Sequence, residues 1–225
     1  MRQHPLWAAL LSISLVPAPV PTHPEVLGVV TQASDASLGT GMASIGASVY
    51  DGDSLSTQSD GAITILGGPT MLYLARQSQM AVHALAGIVG GREAQLAAGT
   101  LVFTTSRSGM LEILADNARI RPRTDSPTVG QITVIDSKTL YIYARQGSLS
   151  LSYEDEKDVI PEGKSYRVML DPPDDSPAAN KSVDPDPHNR PHGRHRAFLL
   201  ILLGVGAAVG SVIRKLDEME SPDHP

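Results

Sequence analysis

The sequence predicts an all-β domain followed by one C-terminal transmembrane helix, and three observations carry that reading. Short β-branched and aromatic segments alternate with period two between turns drawn from 20 glycines and 17 prolines, the pattern of half-buried strands. Helical periodicity is confined to two short stretches, residues 95–98 and 111–117, each good for a turn at most. Near the end, residues 197–213 run for 17 positions without a charge and without a polar face.

At the N-terminus, Arg2 and the free amine precede an apolar stretch over residues 6–16. That stretch is too short to span a bilayer but has the length of a secretory h-region, so residues 1–22 are expected to be a signal peptide. The cut itself stays open, because the small Ala18 is followed by Pro19.

The expected domain covers residues 23–170. Ile63 and Ile65, then Leu72 and Leu74, flank Gly67-Gly68-Pro69 as a hairpin. Leu140 and Ile142 alternate with Tyr141 and Tyr143, and Leu149 and Leu151 follow across Gly147 as a second hairpin-like unit. An internal echo links these regions: Leu72-Tyr73-Leu74-Ala75-Arg76-Gln77 returns as Leu140-Tyr141-Ile142-Tyr143-Ala144-Arg145-Gln146 with one insertion. Each copy is followed by an apolar strand entered through a glycine, Gly99 or Gly163. Two related β-layers would account for it.

Residues 171–196 repeat Pro with Asp and hold almost no apolar side chain, so they read as a disordered, extended linker. His188, His192 and His195 lie in it and read as a solvated flank rather than as a metal site. As a helix, residues 197–213 would be about 25 Å long, at the short end of what crosses a core of about 30 Å. Arg194 and Arg196 before the run and Arg214 and Lys215 after it can snorkel to the headgroups. Gly206 and Gly210, four apart, give one helix face smooth enough for a second helix, so a homodimer through this helix is one expected partnership. Residues 214–225 would form a short cytoplasmic tail.

Export puts the domain outside the inner membrane. The alternative is a tail-anchored protein facing the cytosol, and three arginines before the run against two basic residues after it do not decide between them. The N-terminal h-region decides for export, with a single-pass inner-membrane location.

The chain has no cysteine, which excludes disulfides, thiolate metal sites and cysteine nucleophiles. Its net charge of −6, with few aromatics and no basic stripe, argues against nucleic acid. No cofactor and no metal are expected. Catalysis is not expected either, since His83 is the one plausible general base in the domain and no strained Gly-x-Ser-x-Gly elbow accompanies it.

The most distinctive local pattern is Gly46-Ala47-Ser48-Val49-Tyr50-Asp51-Gly52-Asp53-Ser54-Leu55-Ser56-Thr57, with Gly61 and the alternating strand Ile63, Ile65 behind it. Gly52 between two aspartates suits a positive-φ turn, with Asp51 or Asp53 bonding backbone amides. A calcium loop is the sharper alternative, and Leu55 stands where its next oxygen ligand belongs. Gly39-Thr40-Gly41 reads as a turn, not a phosphate cradle, because no helix pattern follows it.

On Gly46, Val49, Gly52-Asp53, Leu55 and Thr57, with the glycine and apolar strand after them, the chain resembles the FecR domain family. The resemblance runs from about Leu27, through a segment over residues 96–103 that looks like the family's "L-x-x-G-x-[VL]-x-F", to a strand-rich tail over residues 118–170. It implies a jelly-roll or β-solenoid-like domain of short strands in the periplasm that receives a signal from an outer-membrane receptor and passes it through one helix to a sigma factor. The family's regulatory layout places a cytoplasmic sigma-binding segment before the span, whereas here the apolar run comes last and is followed by 12 residues. The expectation is therefore a membrane-anchored sensing or protein-interaction module whose partner is an envelope receptor or other protein. A passive adhesion or structural module of the envelope is the competing expectation.

Overall fold

The computed structural model describes residues 25–171 and 198–204. Among them the only helical element is a 3₁₀ turn at Ser108–Met110, and the domain is all-β. In chain order the strands are β1 (Val26–Leu38), β2 (Gly41–Met42), β3 (Ser48–Tyr50), β4 (Asp53–Gly67), β5 (Thr70–Leu74), β6 (Gln79–Ala84), β7 (Arg92–Thr105) and β8 (Leu111–Ala115). Then follow β9 (Ala118–Pro122), β10 (Thr128–Asp136), β11 (Thr139–Gln146), β12 (Leu149–Tyr153), β13 (Glu156–Ile160), β14 (Lys164–Leu170) and β15 (Phe198–Gly204).

Three strands are far longer than the usual five or six residues: β1, β4 and β7 have 13, 15 and 14. Each is interrupted midway and serves two layers. β1 breaks at Asp35, whose φ is 42°, and β7 at Gly99, whose φ is 83°. β4 breaks around Gly61, where an added Cβ would lie 2.3 Å from the Asp35 carbonyl oxygen, so only glycine lets the two breaks nest.

The second half of β4 pairs with β1 and β5, and the second half of β7 pairs with β5 and β10. β11, β14 and β15 extend that layer. The first half of β4 pairs with β6, and β6 with the first half of β7. From there β8, β9, β12 and β13 extend a second layer. All the pairings are antiparallel except β7 with β8.

Alternation then fills one core between the layers. Ile63, Leu72, Phe103, Ile132 and Ile142 point in from the first layer, and Leu55, Met80, Leu96, Ile113 and Ile120 from the second, all in one buried cluster. Each such side chain contributes about 1.5–3 kcal/mol of burial free energy. Gly130 is the gap that makes this fit possible: a Cβ there would meet the Phe103 ring at 2.6 Å and Leu149 of the other layer at 3.3 Å.

The expected hairpin at residues 63–74 is present as β4–β5, with Gly67 opposite Thr70. Other expectations are corrected. Gly147, with φ 70°, does not close a hairpin; β12 pairs with β9 and β13, so the chain changes layer there. Residues 95–98 and most of 111–117 are strand, because their neighbours' edges were open to them, which local helix propensity does not register. The echoed segments are β5 and β11. Each pairs with the glycine-entered strand that follows it, Leu72 opposite Phe103 and Leu140 opposite Val168, but both pairs sit in one layer rather than in two.

The largest difference is at the apolar run. Instead of starting a helix, residues 198–204 form β15, with Phe198 opposite Leu170 and Leu200 opposite Val168. An uninterrupted apolar run is equally compatible with a buried strand, and β14 offered an unpaired edge. No described helix is long and apolar enough to cross a membrane. The signal peptide, the linker beyond Asp171, residues 205–213 with Gly206 and Gly210, and the tail lie outside the described residues.

Candidate interaction site

The Gly46–Thr57 pattern folds as one unit that ties the long strands together. Gly46 and Gly52 have φ of 88° and 84°, and an added Cβ would touch nothing at either, so the requirement for glycine is purely conformational. The Asp53 carboxylate accepts the Tyr50 amide at 2.8 Å and closes the β3–β4 turn. Gly52 donates to the Val82 carbonyl at 2.9 Å, and the Asp51 carboxylate accepts the Ala84 amide at 3.0 Å, docking the turn onto β6. His83 Nδ1 lies 3.5 Å from the same Asp51 oxygen, both side chains being about half exposed. Both aspartates thus bind backbone, as their place beside a glycine suggests.

Leu55 enters the core at 2% exposure, opposite Met80. Two residues on, Thr57 is buried, and its hydroxyl donates to the Ala75 carbonyl at 2.5 Å while accepting the Ser78 amide at 3.0 Å. The network continues, since the Ser78 hydroxyl accepts the Thr100 amide at 2.9 Å and donates to the Arg76 carbonyl at 3.0 Å. Gln77, at φ 52°, donates to the Gln58 carbonyl at 2.9 Å. The motif threonine therefore pins the β5–β6 connection against the breaks in β4 and β7.

A neutral groove of about 490 Å³ runs along the outward side of this unit, its walls formed by Ser54, Ser56, Gln79, Ala81, Gln95 and Ala97. Its lining combines hydroxyl and amide groups with small apolar side chains. A second cavity of about 550 Å³ opens beside Asn117, Ile135 and Asp136 against the middle of β7, at residues 95–98. Among the described residues, no three His, Asp or Glu side chains stand close enough to hold a metal ion.

Sequence reasoning missed three polar features. Arg92, 6% exposed, donates to the Leu27 carbonyl and, at 2.9 Å, to the Gly90 carbonyl, its guanidinium packed against Gly67. Desolvation lowers its pKa, and Glu25 opposes that. Glu112, 1% exposed, is held by Arg121, whose Nε donates at 2.8 Å, and by Arg119 at 3.4 Å. Asp125 accepts the amide and hydroxyl of Ser108 at 2.9 and 2.7 Å, which holds its carboxyl below the ordinary value. Apart from Gly90, the partners lie from 7 to 65 positions away, so no local spacing announces these pairs.

No family profile and no curated protein sequence matches the chain. The chain is similar to two crystal structures of a "putative anti-sigma factor" from Parabacteroides distasonis, each with a TM-score of 0.43 and 10% identity. The match covers 52% of this chain and 54% of that one, so the chain spans about half the length of the solved relative.

Proposed function

We propose that the β domain is an extracytoplasmic FecR-like sensing or protein-interaction module, anchored in the inner membrane through residues 197–213. The observation that carries this reading is the Gly46–Thr57 unit. Each position that gives the sequence resemblance has a duty in the fold: positive φ at Gly46 and Gly52, turn closure by Asp53, core packing by Val49 and Leu55 and cross-layer bonding by Thr57. A coincidental string of residues has no reason to divide the labour so completely.

The neutral groove beside this unit supports a binding role in place of a catalytic one. The anchor reading rests on the uncharged run and requires β15 to leave β14 when the segment enters lipid, because a span must satisfy its backbone within itself. The chain's lack of cysteine makes the test direct. Val89, 96% exposed, is replaced by cysteine, and a membrane-impermeant maleimide is applied to intact spheroplasts. Labelling without lysis, with the protein resisting carbonate extraction, is the expected result. Labelling only after lysis refutes export, and full extraction by carbonate refutes the anchor.

A further inference from the structure

The pairing of β7 is interrupted on one of its sides. On the other side β7 pairs with β6 as far as Ala98 and with β5 from Leu101. On the interrupted side β8 leaves after Gln95, opposite Leu114, and β10 joins only at Gly99, opposite Val134. Among the described residues, Leu96, Ala97 and Ala98 therefore have no strand beside them there, at the bend where β7 passes between layers. A bulge against β6, with Leu96 opposite Met80 and Ala98 opposite Gln79, makes Ala97 the extra residue. Backbone groups alternate in direction along a strand, so at least one of the three residues turns its N–H and C=O to the gap. Such an open strand edge is a template for pairing with another chain.

The second cavity lies in this gap. Its lining is apolar at Leu114 and Ile135, acidic at Asp116 and Asp136, and small at Ala97 and Ala98. No Lys or Arg lines it. Tyr153 donates to Asp171 at 3.2 Å and lies within electrostatic reach of Asp116 and Glu154, so the turns carrying these carboxylates meet at this end of the domain. The nearby cations have partners of their own. Lys138 pairs with Asp171 at 3.6 Å, Arg119, opposite Leu114, pairs with Glu112 at 3.4 Å, and Arg167 acts on Asp136 from β14. The rim of the gap is acidic as a result.

We infer that this gap is a strand-addition site and that its occupant is an extended segment of another protein, apolar at its centre and flanked by Lys or Arg. An added strand advances about 3.3 Å per residue, so about three of its residues cover the unpaired stretch of β7. Leu114 and Ile135 receive the apolar side chains, Ala97 and Ala98 let a backbone come close, and Asp116 and Asp136 face the flanking cations. Other occupants fit less well. A second copy of the chain brings the same net charge of −6. The chain's own basic stretch, residues 188–196, contains Pro191 and Gly193 and no apolar side chain, which suits neither the ladder nor the walls. The site rests on the protein-interaction half of the function proposed above, to which it gives a partner chemistry, and it needs neither export nor the anchor.

The test uses the isotope-labelled full-length chain in mild detergent, with the peptide Lys-Val-Thr-Val-Lys, blocked at both ends, as probe. Binding with a Kd below about 1 mM is expected, with amide exchange read by NMR slowed at least about tenfold within residues 96–98 and unchanged in β13. Glu-Val-Thr-Val-Glu should not bind, and Lys-Val-Pro-Val-Lys, which lacks the central N–H, should bind at least about fivefold more weakly. Asp116→Asn and Asp136→Asn should each weaken the lysine peptide about three- to fivefold. Asparagine tolerates the φ of 48° at position 116 and keeps an acceptor for the Lys138 amide at 136, and far-UV circular dichroism verifies that both variants fold. Absence of saturable binding, equal binding of the glutamate peptide, indifference to both variants, or protection only outside residues 96–98 overturns the inference. So does protection already present without peptide and lost with Arg190→Ser, Arg194→Ser and Arg196→Ser, which assigns the gap to the chain's own segment, or protection that grows with protein concentration, which assigns it to a second copy. The spheroplast labelling reads location and not binding, so the two tests fail separately.

Discussion

Replacing Thr57 by valine preserves the shape of the side chain and removes only its hydroxyl. In the fold that hydroxyl is the partner of both the Ala75 carbonyl and the Ser78 amide. Thr57 is 7% exposed, so water does not readily take its place. A buried group left unmatched costs about 1–3 kcal/mol, and two of them at the margin of the core give about 2–4 kcal/mol. Against a total stability of about 5–15 kcal/mol this is a large share. It corresponds to a fall of about 4–16 °C in Tm at about 2–4 °C per kcal/mol for a chain of this size. Thr57→Ser keeps the hydroxyl and loses one methyl group, worth about 0.8 kcal/mol. Urea denaturation followed by far-UV circular dichroism measures both variants. If Thr57 acts through packing alone, serine is the worse substitute. A valine variant as stable as the serine variant, or more so, refutes the bonding role assigned here.

Gly46→Ala should cost only the about 1–2 kcal/mol of a left-handed alanine, because the space around it is open. Gly99→Ala adds overlap with Ser78 Oγ at 2.1 Å to a φ of 83° and should cost at least about 1–3 kcal/mol more, so thermal melts of the pair should separate them clearly. Asp125 has a depressed folded-state pKa, so its contribution is present above the ordinary value of 3.8 and is lost as pH falls through the lower, folded one. Asp125→Asn should therefore be less stable than the parent at neutral pH and converge with it in acid melts; a gap that persists well below that range refutes the linkage. Cysteines at Met169 and Leu199, which face each other across β14 and β15, should on oxidation hold the apolar segment in the sheet. Carbonate-resistant membrane association should then drop and return on reduction; indifference to the lock would show that the segment need not leave the sheet.

The strand content, the hairpin at Gly67-Gly68-Pro69 and the turn at Gly52 were legible because each depends on neighbours within a few residues. Alternation and the demand for positive φ are properties of local sequence. The change of layer at Gly147 was not legible, since the same glycine chemistry serves a hairpin and a crossover, and only the partner strands decide. Thr57 was marked by the motif, but its partners at Ala75 and Ser78 were not. Arg92 and Glu112 were invisible for the same reason, the Arg92 donor reaching a carbonyl 65 positions away.

The apolar run near the C-terminus poses a sharper problem, because its side chains satisfy a strand and a membrane helix alike. What differs is the fate of the backbone. As β15 it bonds to β14 along one edge only, and Ile201, Leu202 and Leu203 stay 39%, 52% and 53% exposed. Natural edges are protected by lysine, proline or bulges; β15 contains no lysine or proline, and its pairing with β14 carries one irregularity, between Ser165 and Tyr166. As a helix in lipid, the same residues would bond their backbone internally and bury every side chain. Under the proposed anchoring, this edge is a resting place that a bilayer outcompetes.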